Sequence, residues 1–241
     1  MQRLLYAIAF TLFFAGFIVH LSAQTRHSHH GWGNSVSFNS DADSPSDACD
    51  DHFNVTFDES DTFTAEESRT LAPADFAQGL TIHAAHNGGV LVRGWDKNEV
   101  LVKACKAVAA DDEASAKSLL GQLKMSVNGN QVSASGPGSE HDWVVHFLVR
   151  VPRNIKLALD AHNGPINIRD VQGTVSAETV NGPVDVSRCS GDITAEATNG
   201  PVKIFRSSGN IRVRTQNGPL DVELAGTQWS GQGLDASAQN G

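Results

Sequence analysis

Asn163-Gly164-Pro165, Asn181-Gly182-Pro183, Asn199-Gly200-Pro201 and Asn217-Gly218-Pro219 recur at a spacing of 18 residues. Gly173, Gly191 and Gly209 stand midway between them, so a glycine falls every nine residues and each unit has two unlike halves. A period kept over four copies is the signature of a repeat architecture. The second and fourth residues after each glycine are apolar. They are Ile166/Ile168, Val184/Val186, Val202/Ile204 and Leu220/Val222 in the Asn-Gly-Pro halves, and Val175/Ala177, Ile193/Ala195 and Ile211/Val213 in the others. Polar residues separate them, so each half reads as a short strand with one buried face.

Nine-residue strands can form an antiparallel meander or a β-solenoid, and Asn-Gly alone favours the hairpin. The proline argues the other way. In a two-residue hairpin the residue after Asn-Gly donates its N–H across the turn, and proline has none. At a solenoid corner, proline merely begins the next strand. The expected fold is therefore all-β: a β-solenoid or β-roll of 18-residue two-strand coils over 153–241, preceded over 69–152 by a mixed strand region with one short helix. Coils stacked at about 4.8 Å would align Asn163, Asn181, Asn199 and Asn217 as a structural ladder of corner amides. A carbohydrate-binding stripe is the functional alternative for that column. Asp185, Lys203 and Asp221 fall in one outward column, and Glu178, Glu196 and Arg214 in another.

Upstream, Leu80–His83, Val90–Val92, Val100–Val102 and Trp143–Val151 read as strands. Asp111-Asp112-Glu113 opens a helix, since acids suit its positive end, and Ala116, Leu119, Leu120 and Leu123 follow at helical spacing. Asn128-Gly129-Asn130 reads as a hairpin turn. From residue 24 to 68 the chain is polar, with Asp41, Asp43, Asp47, Asp50 and Asp51 among Ser and Pro, and reads as a flexible acidic linker. Within it, Phe53, Val55 and Phe57 alternate as a strand would. Residues 1–23 carry Arg3, the apolar run Leu4 to Val19 and a small residue at Ala23, the plan of a secretory signal peptide cleaved after Ala23. The expected location is extracytoplasmic: periplasmic, cell-surface or secreted.

The 241-residue chain carries 18 Lys+Arg against 27 Asp+Glu, a net charge of −9, which speaks against a general nucleic-acid binder. Three cysteines, Cys49, Cys105 and Cys189, allow one disulfide in an oxidising compartment without fixing the pair. His27, His29 and His30, with His52, are metal-ligand types, but they sit in the linker with no fixed geometry; no metal or cofactor is expected. A calcium-binding roll needs an Asp ligand in each nonapeptide turn, which these corners lack. The pairs Asp185/Asp221 and Glu178/Glu196 are explained by the repeat, so no catalytic residues are assigned. His86 and His162, each before Asn-Gly, read as one corner used twice. Read backward from Asn240-Gly241, Leu234 matches Ile193 and Ile211, so the last residues form half a coil. The expectation is a reading frame that continues past Gly241, and self-association through the open solenoid end.

From Leu80 onward the chain resembles the bacterial putative adhesin family, exported proteins with repeated Asn-Gly strands. The resemblance rests on His86-Asn87-Gly88 through Gly94-Trp95-Asp96, on Val149-Arg150-Val151-Pro152 and on the Asn-Gly series. It implies a non-enzymatic adhesin-like binding or scaffold module of the cell envelope, with an envelope component, glycan or protein as ligand. A carbohydrate-active β-helix enzyme and a structural spacer in an envelope sensing system are the alternatives. A concave surface gathering two or more carboxylates with an aromatic platform would favour the enzyme.

Overall fold

The structure, a computed structural model, describes residues 19–20, 35–38, 46–57, 60–226 and 231–241. The expected signal peptide lies outside the described residues except for β1 (Val19–His20). The stretch expected to be a linker carries β2 (Ser35–Phe38), α1 (Cys49–His52), β3 (Phe53–Thr56) and β4 (Asp61–Leu71). Then come β5 (Leu80–His83), β6 (Val90–Trp95), β7 (Val100–Ala110), α2 (Glu113–Gln122), β8 (Lys124–Asn128), β9 (Gln131–Ser135) and β10 (Trp143–Pro152). The repeat region supplies β11 (Leu157–Asn163), β12 (Ile166–Arg169), β13 (Gln172–Asn181), β14 (Val184–Ser187), β15 (Ser190–Asn199), β16 (Val202–Asn217), β17 (Leu220–Leu224) and β18 (Leu234–Asn240).

The strand order corrects the expected β-solenoid of separate two-strand coils. Sixteen strands form one mixed sheet in the order β1-β4-β7-β10-β6-β12-β14-β16-β15-β13-β11-β5-β9-β8, with β17 and β18 also on β16. It curls around one continuous core towards a nearly closed barrel. The physical reason is β16. Its first residues pair with β14 and β17, and its later residues with β15 and β18, so one strand joins the two walls. The repeat also continues the upstream sheet: β12 lies parallel to β6 and β11 parallel to β5, while β4, β7 and β10 add antiparallel pairs.

What the 18-residue period does dictate is register. Ile166 pairs with Val184 and Val184 with Val202 on one wall; Val175 pairs with Ile193 and Ile193 with Ile211 on the other. These inward side chains are at most 2% exposed. Glycine recurs because neighbouring chains nearly touch at the corners: a Cβ on Gly182 would stand 2.3 Å from the Gly164 carbonyl oxygen. The Asp112 carboxylate caps α2, accepting the N–H groups of Ala114 and Ser115 at 2.9 Å, and Ala116, Leu119 and Leu120 bury the helix on the core.

A second apolar cluster lies on the outer face. Cys49, Phe53, Val55 and Phe57 cover Leu91, Ala107, Val144 and Leu148, and a Cys49–Cys105 disulfide pins this strap to β7 with the Cα atoms 5.6 Å apart. Cys189 is the free, buried cysteine, and burial pushes its thiol up to about 11. The bridge spans 56 residues, so Cys49→Ser should lower stability by about 4 kcal/mol on the loop-entropy account. Urea unfolding of the variant, compared with the oxidised and reduced parent, checks this.

Candidate functional site

The strands β11, β13, β15, β16 and β18 lie in parallel register, so equivalent residues form straight rows across them. One outward row runs His83, Asp160, Glu178, Glu196, Arg214 and Ser237. A second, two residues further along each strand, runs His162, Val180, Thr198, Gln216 and Gln239. Between them Ala161, Thr179, Ala197 and Thr215 point inward and are buried. Because these floor residues are small, the surface sinks between the rows. The result is a trough of about 570 Å³ lined by both rows and the floor. Four strand intervals give it a length of about 19 Å.

The trough has a chemical bias. Three carboxylates, Asp160, Glu178 and Glu196, stand side by side on one wall. Like charges in directly opposed positions disfavour the sheet by themselves. Partners sit at the two ends of the row: His83 Nδ1 is hydrogen-bonded to the Asp160 carboxylate, and Arg214 lies in register beside Glu196. The far wall offers amide, hydroxyl and imidazole groups but no carboxylate. His162 stacks on His86 with ring centroids 4.5 Å apart. The floor hydroxyls face the backbone: Thr179 and Thr215 donate to the carbonyls of Gly164 and Gly200 at 3.2 and 2.9 Å.

Beside the trough the corner asparagines bond in series. Each Nδ2 donates to the preceding Oδ1, from Asn163 to Asn87 at 3.0 Å, then Asn181 to Asn163, Asn199 to Asn181, Asn217 to Asn199 and Asn240 to Asn217 at 2.8–2.9 Å. Asn87 and Asn240 join the four asparagines of the Asn-Gly-Pro motifs. Asn199→Ala removes one donor and one acceptor of the chain. It should cost about 1–2 kcal/mol in chemical denaturation without changing the β-sheet circular dichroism.

Other residues singled out from sequence lie elsewhere. Asp185, Lys203 and Asp221 occupy the opposite wall, where burial pushes the Asp185 carboxyl up against the pull of Lys203 and Arg169. His27, His29 and His30 lie outside the described residues. His52 is 1% exposed in the strap, its Nε2 2.8 Å from the Ser46 carbonyl oxygen. Among the described residues no group of three or more His, Cys, Asp or Glu is arranged to hold a metal ion. Among the described residues no Phe, Tyr or Trp ring lines the trough. The outward column Glu178, Glu196 and Arg214 was visible in the sequence, but Asp160, His162 and the small floor were not recognised as parts of one site. Stepping the 18-residue period back from Glu178 and Val180 reaches Asp160 and His162 directly.

No family model and no curated protein matches the chain. Among solved structures, a putative cell adhesion protein from Clostridium sporogenes is similar over 72% of this chain and 98% of its own, at 12% identity and a TM-score of 0.36. A putative adhesin from Parabacteroides distasonis covers 72% of this chain and 78% of its own, at 12% identity and a TM-score of 0.34. A putative lipid binding protein from the same organism covers 73% and 95%, at 10% identity and a TM-score of 0.28. All three TM-scores lie below 0.5.

Proposed function

We propose that this is an exported, non-enzymatic binding module of the cell envelope whose trough holds an extended glycan carrying hydroxyl and amino groups. The trough itself is the observation that carries this reading: outward rows cross it at the strand spacing, and Asp160, Glu178 and Glu196 place a carboxylate on three successive strands of one wall. A linear polymer can meet a carboxylate again on each of these three strands. The Cys49–Cys105 bridge supports export, since disulfides persist in oxidising compartments. The signal-peptide pattern of residues 1–23 supports it from the sequence.

Binding is favoured over glycoside cleavage by the arrangement of the acids. Hydrolysis needs two carboxyl groups flanking the scissile bond from opposite sides. Asp160, Glu178 and Glu196 share one wall, and the facing row has no acid.

Calorimetric titration with β-1,4-linked glucosamine oligomers of increasing length tests the reading. Affinity should rise with length until the trough is filled, then level off. The double variant Glu178→Gln, Glu196→Gln should weaken the longest oligomer at least tenfold, with no cleavage products from either protein. Absence of binding at millimolar oligomer, affinity unchanged in the double variant, or release of shorter oligomers would each overturn it.

A further inference from the structure

The opposite wall ends at β17, whose outer edge pairs with no described strand. Its inward residues Leu220, Val222 and Leu224 are only partly buried, whereas Val202 and Ile204, one repeat earlier, are 0% exposed. The backbone is set for one more strand. Ile166, Val184 and Val202 each donate their N–H to the proline carbonyl of the following repeat, Pro183, Pro201 and Pro219, at 2.9–3.0 Å. By the same repeat, the Leu220 N–H points out of the β17 edge. Unsatisfied edge groups of this kind are templates for an added strand.

The side chains on the outward face say what that strand must carry. The column Asp185, Lys203, Asp221 alternates in sign, with Lys203 Nζ 4.0 Å from the Asp221 carboxylate. In the neighbouring column Glu223 stands opposite Phe205, and Arg206, at the register shift beside Phe205, lies 3.4 Å from the Glu223 carboxylate. The side chains of Asp221 and Glu223 remain 72% and 56% exposed, so each has an open flank at the edge. The next position in both columns suits a cation, because directly opposed unlike charges stabilise and like charges destabilise a strand pair.

We propose that the β17 edge is a strand-addition surface for a partner polypeptide segment in which Val or Ile alternates with Lys or Arg. The apolar residues of the partner cover Leu220, Val222 and Leu224, its cations reach Asp221 and Glu223, and its carbonyls accept the edge N–H groups. A second copy presenting the same edge is disfavoured, because it would set acids against acids. This surface lies on the wall opposite the trough, so it stands or falls independently of the glycan reading.

The test is a fluorescence-anisotropy titration of the full chain with a labelled Gly-Pro-Val-Lys-Ile-Lys-Val peptide, and with its counterpart carrying Glu at both Lys positions. The Lys peptide should bind at least tenfold more tightly, and the double variant Asp221→Lys, Glu223→Lys should reverse the preference. Unchanged thermal unfolding would show that this variant is folded. Equal binding of the two peptides, no binding of either at millimolar concentration, or a preference unaltered in the variant would overturn the proposal. So would concentration-dependent oligomers in light scattering that the Lys peptide fails to dissolve.

Discussion

Val184→Asp is expected to abolish the cooperative folding transition, while Asp185→Val, one residue along, shifts stability by no more than about 1 kcal/mol. Val184 is 0% exposed and sits in register between Ile166 and Val202. The substitution forfeits about 2 kcal/mol of apolar burial and places an unpaired carboxylate in the core, at several kcal/mol more. That is comparable with a whole domain's net stability of about 5–15 kcal/mol. Asp185 points to the other face, and burial already disfavours its charged form. Urea unfolding of the two variants checks the difference; equal losses would contradict the alternation along β14.

Acidification is expected to act through His146. This imidazole is fully buried under the strap and stacks on Phe53 with ring centroids 5.9 Å apart. Burial first, and then the neighbouring His52, hold its pKa down to about 3. In the unfolded chain the value returns to about 6.5. Between these values the unfolded state binds the proton more readily than the folded one. The contribution is therefore complete above about pH 6.5 and is lost progressively as pH falls to about 3, amounting to about 4–5 kcal/mol over the window. His146→Leu should flatten this part of the stability profile relative to the parent. Superimposable slopes between pH 6.5 and 3 would show that the proton is taken up elsewhere.

The alternation of Ile166, Val184, Val202 and their partners was legible because a buried strand face has a period of two and the repeat states it many times. The start of α2 was legible too, because Asp112 is a capping residue ahead of a helical apolar pattern. The architecture was not. The pairings of β6 with β12 and of β5 with β11 join segments more than seventy residues apart, and parallel neighbours leave no turn signal between them. Without those pairings the repeat reads as a separate solenoid rather than part of one curled sheet.

β4 was hidden for a different reason. Its alternation of Phe63 and Ala65 continues to Glu67, an acid at an inward position. Burial alone would push the Glu67 carboxyl up, but the Lys106 ammonium 2.7 Å away, together with hydrogen bonds from the Met125 backbone and Arg69, holds the group below the usual range. A charge neutralised by a residue 39 positions distant makes a buried strand look like a polar linker. The trough was half legible: its acidic column follows from the period, but the depression depends on Ala161, Thr179, Ala197 and Thr215 being small on a curved sheet.

The most direct test of the binding account is amide chemical-shift mapping on the isotope-labelled chain during titration with a β-1,4-linked glucosamine hexamer. The account predicts a continuous stripe of perturbed amides across β11, β13, β15 and the later half of β16, centred on Asp160, Glu178, Glu196 and Thr198, with β14 (Val184–Ser187) and β17 (Leu220–Leu224) on the opposite wall silent. Perturbations confined to the opposite wall or the strap, or none at saturating hexamer, would contradict it.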